Sequence, residues 1–213
     1  MFLQIVFADR GDYKLLLVGY ENGAIEVYLH PSLTLIASIK SQSKLIQSLA
    51  LHPLYLTDGS ESNFSQYLAS ASNEFPVHIF DLASVLDSRG ESESSEVEVL
   101  VTASVTLTGH LQRVIEVAWA PHDARLLCSV SYDWSAQVWD VSNGSPLHNF
   151  SGHSGRIMSC LWHPTRPGLV ITGGEDTSLQ IWKPEVRGHQ PLYGSYFVMS
   201  GPTTTVTQRE EEQ

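Results

Sequence analysis

The chain has 213 residues, 42% of them apolar, with 12 Lys plus Arg against 23 Asp plus Glu and a net charge of −11. That apolar content excludes a wholly disordered chain, and the acidic balance excludes a basic, charge-driven nucleic-acid binder, so any nucleic-acid contact must come from a local patch and DNA is not an expected partner. No apolar run reaches the ~20 residues a membrane helix needs, the start lacks the charged region of a signal peptide, and Cys128 and Cys160 are too few for a disulfide scaffold, so no membrane association is expected and both thiols are expected reduced and buried.

In chain order, Val18-Gly-Tyr-Glu21-Asn22-Gly-Ala-Ile-Glu-Val-Tyr28 reads as two short strands around a turn. Ser70-Ala-Ser72-Asn73-Glu74-Phe-Pro-Val-His-Ile-Phe80-Asp81 fits the same frame. Two insertions flank it, Leu54 to Gln66 and Ser84 to Glu98. The second is acidic and serine-rich, which predicts a solvated surface loop. Gly109-His110 to Trp139-Asp140 then aligns without a gap with Gly152-His153 to Trp182-Lys183, every matched position 43 residues apart. His to Asp is 23 residues and Asp to Trp is 6 in both copies. A period of about 40–45 residues carrying Gly-His and Trp-Asp marks is the signature of a WD-repeat propeller blade.

The two upstream stretches are weaker copies, with Asn22 or Glu74 in the Asp place and Tyr28 or Phe80 in the Trp place. The expected fold is all-β: a WD-repeat β-propeller segment of four blades, each of four antiparallel strands. The blades fall at approximately 1–40, 41–107, 108–150 and 151–184. In the third, strands are expected at Val114–Trp119, Leu126–Ser131, Ala136–Val141 and Pro146–Phe150. Four blades do not close a propeller, so the unpaired end blades predict a chain that is open, sticky and poorly soluble, or that completes itself by self-association. The tail, 185–213, loses the pattern and is expected to be disordered, Thr203 to Gln213 above all.

His110, Ser129, Asp133 and Trp139 include the members of a Ser-His-Asp triad, yet the same places recur as His153, Thr172, Asp176 and Trp182. Duplication in consecutive repeats points to a buried hydrogen-bond chain that holds each blade together. No Gly-x-Ser-x-Gly elbow, Cys-x-x-Cys or His-Glu-x-x-His spacing and no phosphate-binding glycine loop is present, so no enzymatic activity, metal or cofactor is expected. His52 and His163 precede prolines at strand ends, where packing of the blade turns accounts for them. What remains is a binding surface. In a propeller the loops gather on two faces around a channel. Repeat geometry brings Arg113 and Tyr132, and one blade on Arg156 and Glu175, to one face. Two arginines in equivalent places offer a guanidinium shelf for phosphate or a base, with Tyr132 as a stacking plate, or else ordinary exposed charge. Trp134 stands where the turn usually has glycine; it either packs on the neighbouring loop, which is the expectation, or stands out as a contact.

The run Leu107-Thr-Gly-His-Leu-Gln-Arg-Val-Ile-Glu-Val-Ala-Trp-Ala-Pro-His122, with Ser131-Tyr-Asp133, Ala136-Gln-Val-Trp-Asp140 and Asn149-Phe-Ser-Gly-His-Ser-Gly-Arg156, resembles the gem-associated protein 5 family of WD-repeat subunits of the survival-of-motor-neuron complex. Tyr20-Glu-Asn-Gly-Ala-Ile-Glu-Val27 and Ser43-Lys-Leu-Ile46 extend the likeness to residues 12–184. The resemblance implies the last blades of the second of two propellers that recognise small nuclear RNA precursors, through a single-stranded uridine-rich site and a 7-methylguanosine cap, for spliceosomal ribonucleoprotein assembly. It implies RNA-facing roles for Arg113 and Tyr132, and for Arg156 one repeat on. It also implies the other subunits of that complex as partners, and a cytoplasmic location with a nuclear-body pool. The alternatives are a WD-repeat scaffold for protein–protein interaction or a non-functional partial product.

Overall fold

The computed structural model describes residues 2–9, 14–40, 42–53, 67–83, 98–100, 102–183, 196–200 and 205–209. Blade one is the meander β1 (Phe2–Asp9), β2 (Lys14–Tyr20), β3 (Ile25–His30) and β4 (Thr34–Ile39). Blade two begins with β5 (Ile46–Leu51), β6 (Tyr67–Ser72) and β7 (Val77–Asp81). The chain then forms β8 (Glu98–Leu100), which pairs in parallel with β4 of blade one, and returns as β9 (Val105–Leu107), the fourth strand of blade two. Blade three is β10 (Val114–Trp119), β11 (Leu126–Ser131), β12 (Ala136–Asp140) and β13 (Ser145–Phe150). Blade four is β14 (Ile157–Trp162), β15 (Val170–Gly174), β16 (Ser178–Trp182), β17 (Tyr196–Ser200) and β18 (Thr205–Arg209). All other pairings are antiparallel, and all but that of β7 with β9 join consecutive strands.

Two expectations need correction. The tail supplies the fourth and fifth strands of blade four, with Ser178 opposite Ser200 and Tyr196 opposite Arg209, so blade four does not end at 184. The cause is that β16 otherwise has an open edge, and the segment Tyr196-Phe-Val-Met-Ser200 carries the β-branched and aromatic residues that suit a pleated neighbour. Blades one and four therefore have five strands each, not four. The insertions over 54–66 and 84–97 lie outside the described residues.

The blades stack face to face because each strand alternates its side chains between two neighbours. On β11 all six residues are buried. Leu126, Cys128 and Val130 pack towards Ile157, Cys160, Trp162 and Trp182 of blade four. Leu127 packs with Ala69, Ala71 and Ile79 of blade two. A third cluster joins Leu15, Leu17, Val27 and Ile39 of blade one to Ile46, Leu68 and Phe80 of blade two. Cys128 and Cys160 are both free and buried between blades three and four.

The inner strands are also stitched by a repeated polar pattern. The Trp119 indole N–H donates to the Ala50 carbonyl at 2.9 Å, and Trp162 does the same to Ala118 at 2.9 Å. Two residues before each acceptor, a side chain takes a backbone N–H of the next blade. Ser48 accepts from Val117 at 3.2 Å and Glu116 accepts from Cys160 at 2.7 Å.

Candidate nucleic-acid interface

The face that carries the candidate site is held by the duplicated hydrogen-bond chain. In blade three the Trp139 indole N–H donates to Ser129 Oγ at 2.7 Å, Ser129 Oγ lies 2.8 Å from His110 Nε2, and His110 Nδ1 lies 2.9 Å from Asp133 Oδ2. A carboxylate only accepts, so the proton sits on Nδ1 and Nε2 is left to take the serine hydroxyl proton. In blade four Trp182 donates to Thr172 Oγ1 at 2.8 Å, Thr172 meets His153 Nε2 at 2.8 Å, and His153 Nδ1 meets Asp176 Oδ2 at 2.9 Å. Ser129 is wholly buried with its hydroxyl engaged on both sides, so no substrate reaches it as a nucleophile.

Each Asp also fixes the loop where its blade begins, accepting the N–H of Leu111 at 2.8 Å and of Ser154 at 2.9 Å. Burial pushes the Asp133 carboxyl up, but bonds from His110, Ser135 and the Leu111 N–H outweigh it and hold the group well below the usual carboxylate range. Asp176 is lowered in the same balance, burial opposed by Ser154, Ser178 and His153. Close approach calls for glycine in the second Gly-His mark, where a Cβ on Gly152 would lie 2.7 Å from both the Trp182 ring and Gln180 Oε1; at Gly109 the matching distances are 3.0 Å.

Blade two keeps only parts of this chain: Phe80 in the tryptophan place has no N–H to donate, and the buried Gln42 Nε2 has no partner among the described residues. Gln42 takes the histidine place and accepts from Ser70 Oγ at 2.7 Å, while Glu74 accepts from Ser43 Oγ at 2.6 Å. Ser43 bonds hold the Glu74 carboxyl below its ordinary value. Gln42 escaped the sequence reading because no Gly-His precedes it and the insertion shifts its spacing to Ser70.

On this frame Tyr132 N–H donates to the Arg113 carbonyl at 3.1 Å, and Glu175 N–H donates to the Arg156 carbonyl at 2.8 Å. These bonds pin each arginine beside the turn of its own blade. The structure brings Arg113, Tyr132 and Arg156 together: the Arg113 Cζ lies 4.0 Å from the Tyr132 ring centroid and the Arg156 Cζ 4.6 Å from it. Two cations thus share one ring, a geometry in which the ring quadrupole offsets part of their repulsion. Glu175 Oε1 lies 3.4 Å from Arg156 Nη1, an exposed pair that contributes little to stability. A cleft of about 640 Å³ opens beside them; Tyr132, Trp134 and Arg156 line it together with the carboxylates of Glu175 and Asp176. Trp134 does not pack as expected; it is 51% exposed. Among the described residues no group of three His, Cys, Asp or Glu side chains is arranged to hold a metal ion.

The WD domain, G-beta repeat family matches residues 101–140 and 144–183. Gem-associated protein 5 of Mus musculus is 37% identical over 141 residues, 66% of this chain, and that of Homo sapiens is 36% identical over the same length. The chain spans 9% of the length of each of these relatives. Coronin-7 of Homo sapiens is 38% identical over 48 residues, 22% of the chain. The WD40 domain of Toxoplasma gondii coronin superposes with a TM-score of 0.66 over 93% of this chain and 57% of that one, at 15% identity, which speaks to fold alone. Repeat marks, sheet order and these likenesses show WD repeats and blades of β-propeller architecture in a chain whose sequence is similar to gem-associated protein 5.

Proposed function

We propose that this chain is a single-stranded RNA-binding WD-repeat module, acting within small nuclear RNA recognition for the survival-of-motor-neuron complex. The observation that carries the reading is the pair of guanidinium groups gathered on the Tyr132 ring. Guanidinium edges donate to phosphate oxygens and their planes stack on bases, so one cluster meets both parts of an unpaired nucleotide. Uridines stack weakly on one another, so a protein surface that offers stacking and positive charge captures them from solution. The similarity to gem-associated protein 5 supports the same reading, with the subunits of that complex as partners in the cytoplasm and in a nuclear pool. Seven of the acidic residues, Glu91, Glu93, Glu96, Glu98 and Glu210 to Glu212, fall in an insertion and the tail of the sequence, outside the repeat pattern.

The test is binding of a short uridine-rich RNA followed by fluorescence anisotropy at several salt concentrations. Tyr132→Ala is expected to cost about 1–3 kcal/mol, roughly 5- to 150-fold in affinity. Arg113→Ala and Arg156→Ala are expected to weaken binding and to flatten its salt dependence. Equal affinity of the wild type and all three variants defeats the reading. A second reading, a protein-interaction scaffold, is favoured by Leu111, which stands 79% exposed on the same loop face; it takes first place if uridine-rich RNA does not bind.

A further inference from the structure

We propose that Trp134 is a second aromatic plate of this site, stacking on a base of the strand whose neighbouring nucleotide is held by Arg113, Tyr132 and Arg156; the proposal rests on the RNA-binding reading above. The chain has five tryptophans. Four are structural. Trp119, Trp139, Trp162 and Trp182 are 7%, 0%, 6% and 3% exposed. Each of their indole N–H groups donates within the fold, to Ala50, Ser129, Ala118 and Thr172 respectively. Trp134 is the exception at 51% exposed.

Its backbone adds to the contrast. Trp134 has φ +70°, a left-handed conformation that a bulky residue rarely adopts. Thr177 holds φ +61° at the equivalent place of blade four and Gly23 holds φ +83° in blade one, so the turn favours this conformation in three blades, while Phe75 in blade two does not adopt it. A large ring at this position therefore strains the turn and, being exposed, returns little burial for it. Local choices that oppose the fold without a packing gain concentrate at functional sites.

The location supplies the ligand. Trp134 borders the same cleft as Tyr132 and Arg156, beside the carboxylates of Glu175 and Asp176, so its ring shares one site with a guanidinium group. A strand whose phosphate meets Arg156 delivers its next base to that cleft, and every base has a face that an indole stacks on. Blade two places Phe75 in the equivalent turn position, and it too is exposed, at 52%. A protein ligand would also bury Trp134, but Arg156 at the cleft, with Arg113 on the same Tyr132 ring, suits a nucleic-acid strand.

The experiment uses the full chain, a short uridine-rich RNA, and Trp134 emission together with anisotropy. Because the other four tryptophans are buried, the quencher-accessible emission belongs to Trp134. The expected result is quenching of that emission on RNA binding, a roughly 5- to 150-fold loss of affinity in Trp134→Gly, and affinity close to wild type in Trp134→Phe, which keeps a plate. Trp134→Gly restores the residue that suits the turn, so its unfolding midpoint is expected at or above that of the wild type. RNA binding that Tyr132→Ala weakens, with Trp134 emission unchanged and Trp134→Gly binding as wild type, overturns this proposal and leaves the RNA-binding reading standing. No binding of the RNA by the wild type overturns both.

Discussion

Asp133 and Asp176 each do two jobs, closing the hydrogen-bond chain through a histidine and fixing the loop that precedes Arg113 or Arg156. Removing either leaves a buried histidine and a backbone N–H without their acceptor. Asp133→Ala is expected to destabilise by about 1–3 kcal/mol in denaturant unfolding. The pH dependence follows from the direction of the shifts. Both carboxyls are lowered in the folded chain, so their contribution is complete above the unfolded value of about 3.9 and declines as pH falls through the folded one. The unfolding midpoint is expected to fall steeply below about pH 4, and less steeply in Asp133→Asn. These residues are legible in the sequence because two copies repeat His, Ser or Thr, Asp and Trp at one spacing. Arg113, Tyr132 and Arg156 are legible only as positions on a face. That both guanidinium groups converge on one ring depends on side-chain directions, which spacing does not carry, and the exposure of Trp134 ran against a packing argument.

At the scale of the element, neighbouring blades are joined by more than apolar contact. The indole donors of Trp119 and Trp162 and the acceptors Ser48 and Glu116 form one polar stitch used twice. Trp162→Phe keeps the ring but strips the donor from the Ala118 carbonyl, and it is expected to cost about 0.5–1.5 kcal/mol by equilibrium unfolding. The strands of blade three were legible almost to the residue because their apolar alternation is bounded by turns of identical chemistry in blade four. The outer strands of blade four were not, since the repeat spacing ends with Lys183 and β17 begins only at Tyr196. The parallel partnership of β8 with β4 was equally hidden, because it joins two blades through an insertion that belongs to neither repeat.

At the scale of the molecule, blade four turns an apolar face away from blade three. Met158, Leu161 and Leu179 are 40%, 49% and 39% exposed there. Ser159 and Leu161 occupy the places from which Glu116 and Ala118 stitch blade three to blade four, so this face repeats the acceptors that join blades elsewhere. Ile5 and Phe7, 60% and 53% exposed on β1, leave blade one open as well. The chain is therefore expected to self-associate, with a sedimentation coefficient that rises with concentration, and Leu161→Glu with Leu179→Lys is expected to reduce that rise. A dilution-resistant monomer with the wild-type sequence would contradict this expectation.

The crossing of β8 onto β4 has a consequence for synthesis on the ribosome. Ala37 pairs with Glu98 and Ile39 with Leu100, so the outer edge of blade one waits for a partner that emerges some sixty residues later. At about 5–20 residues per second that interval is roughly 3–12 s, long compared with the microseconds a hairpin needs to form. During it, blade one exposes an unpaired strand of a kind that templates pairing with other nascent chains. Translation speed across the second blade and its insertions thus bears directly on the yield of correctly paired first blades.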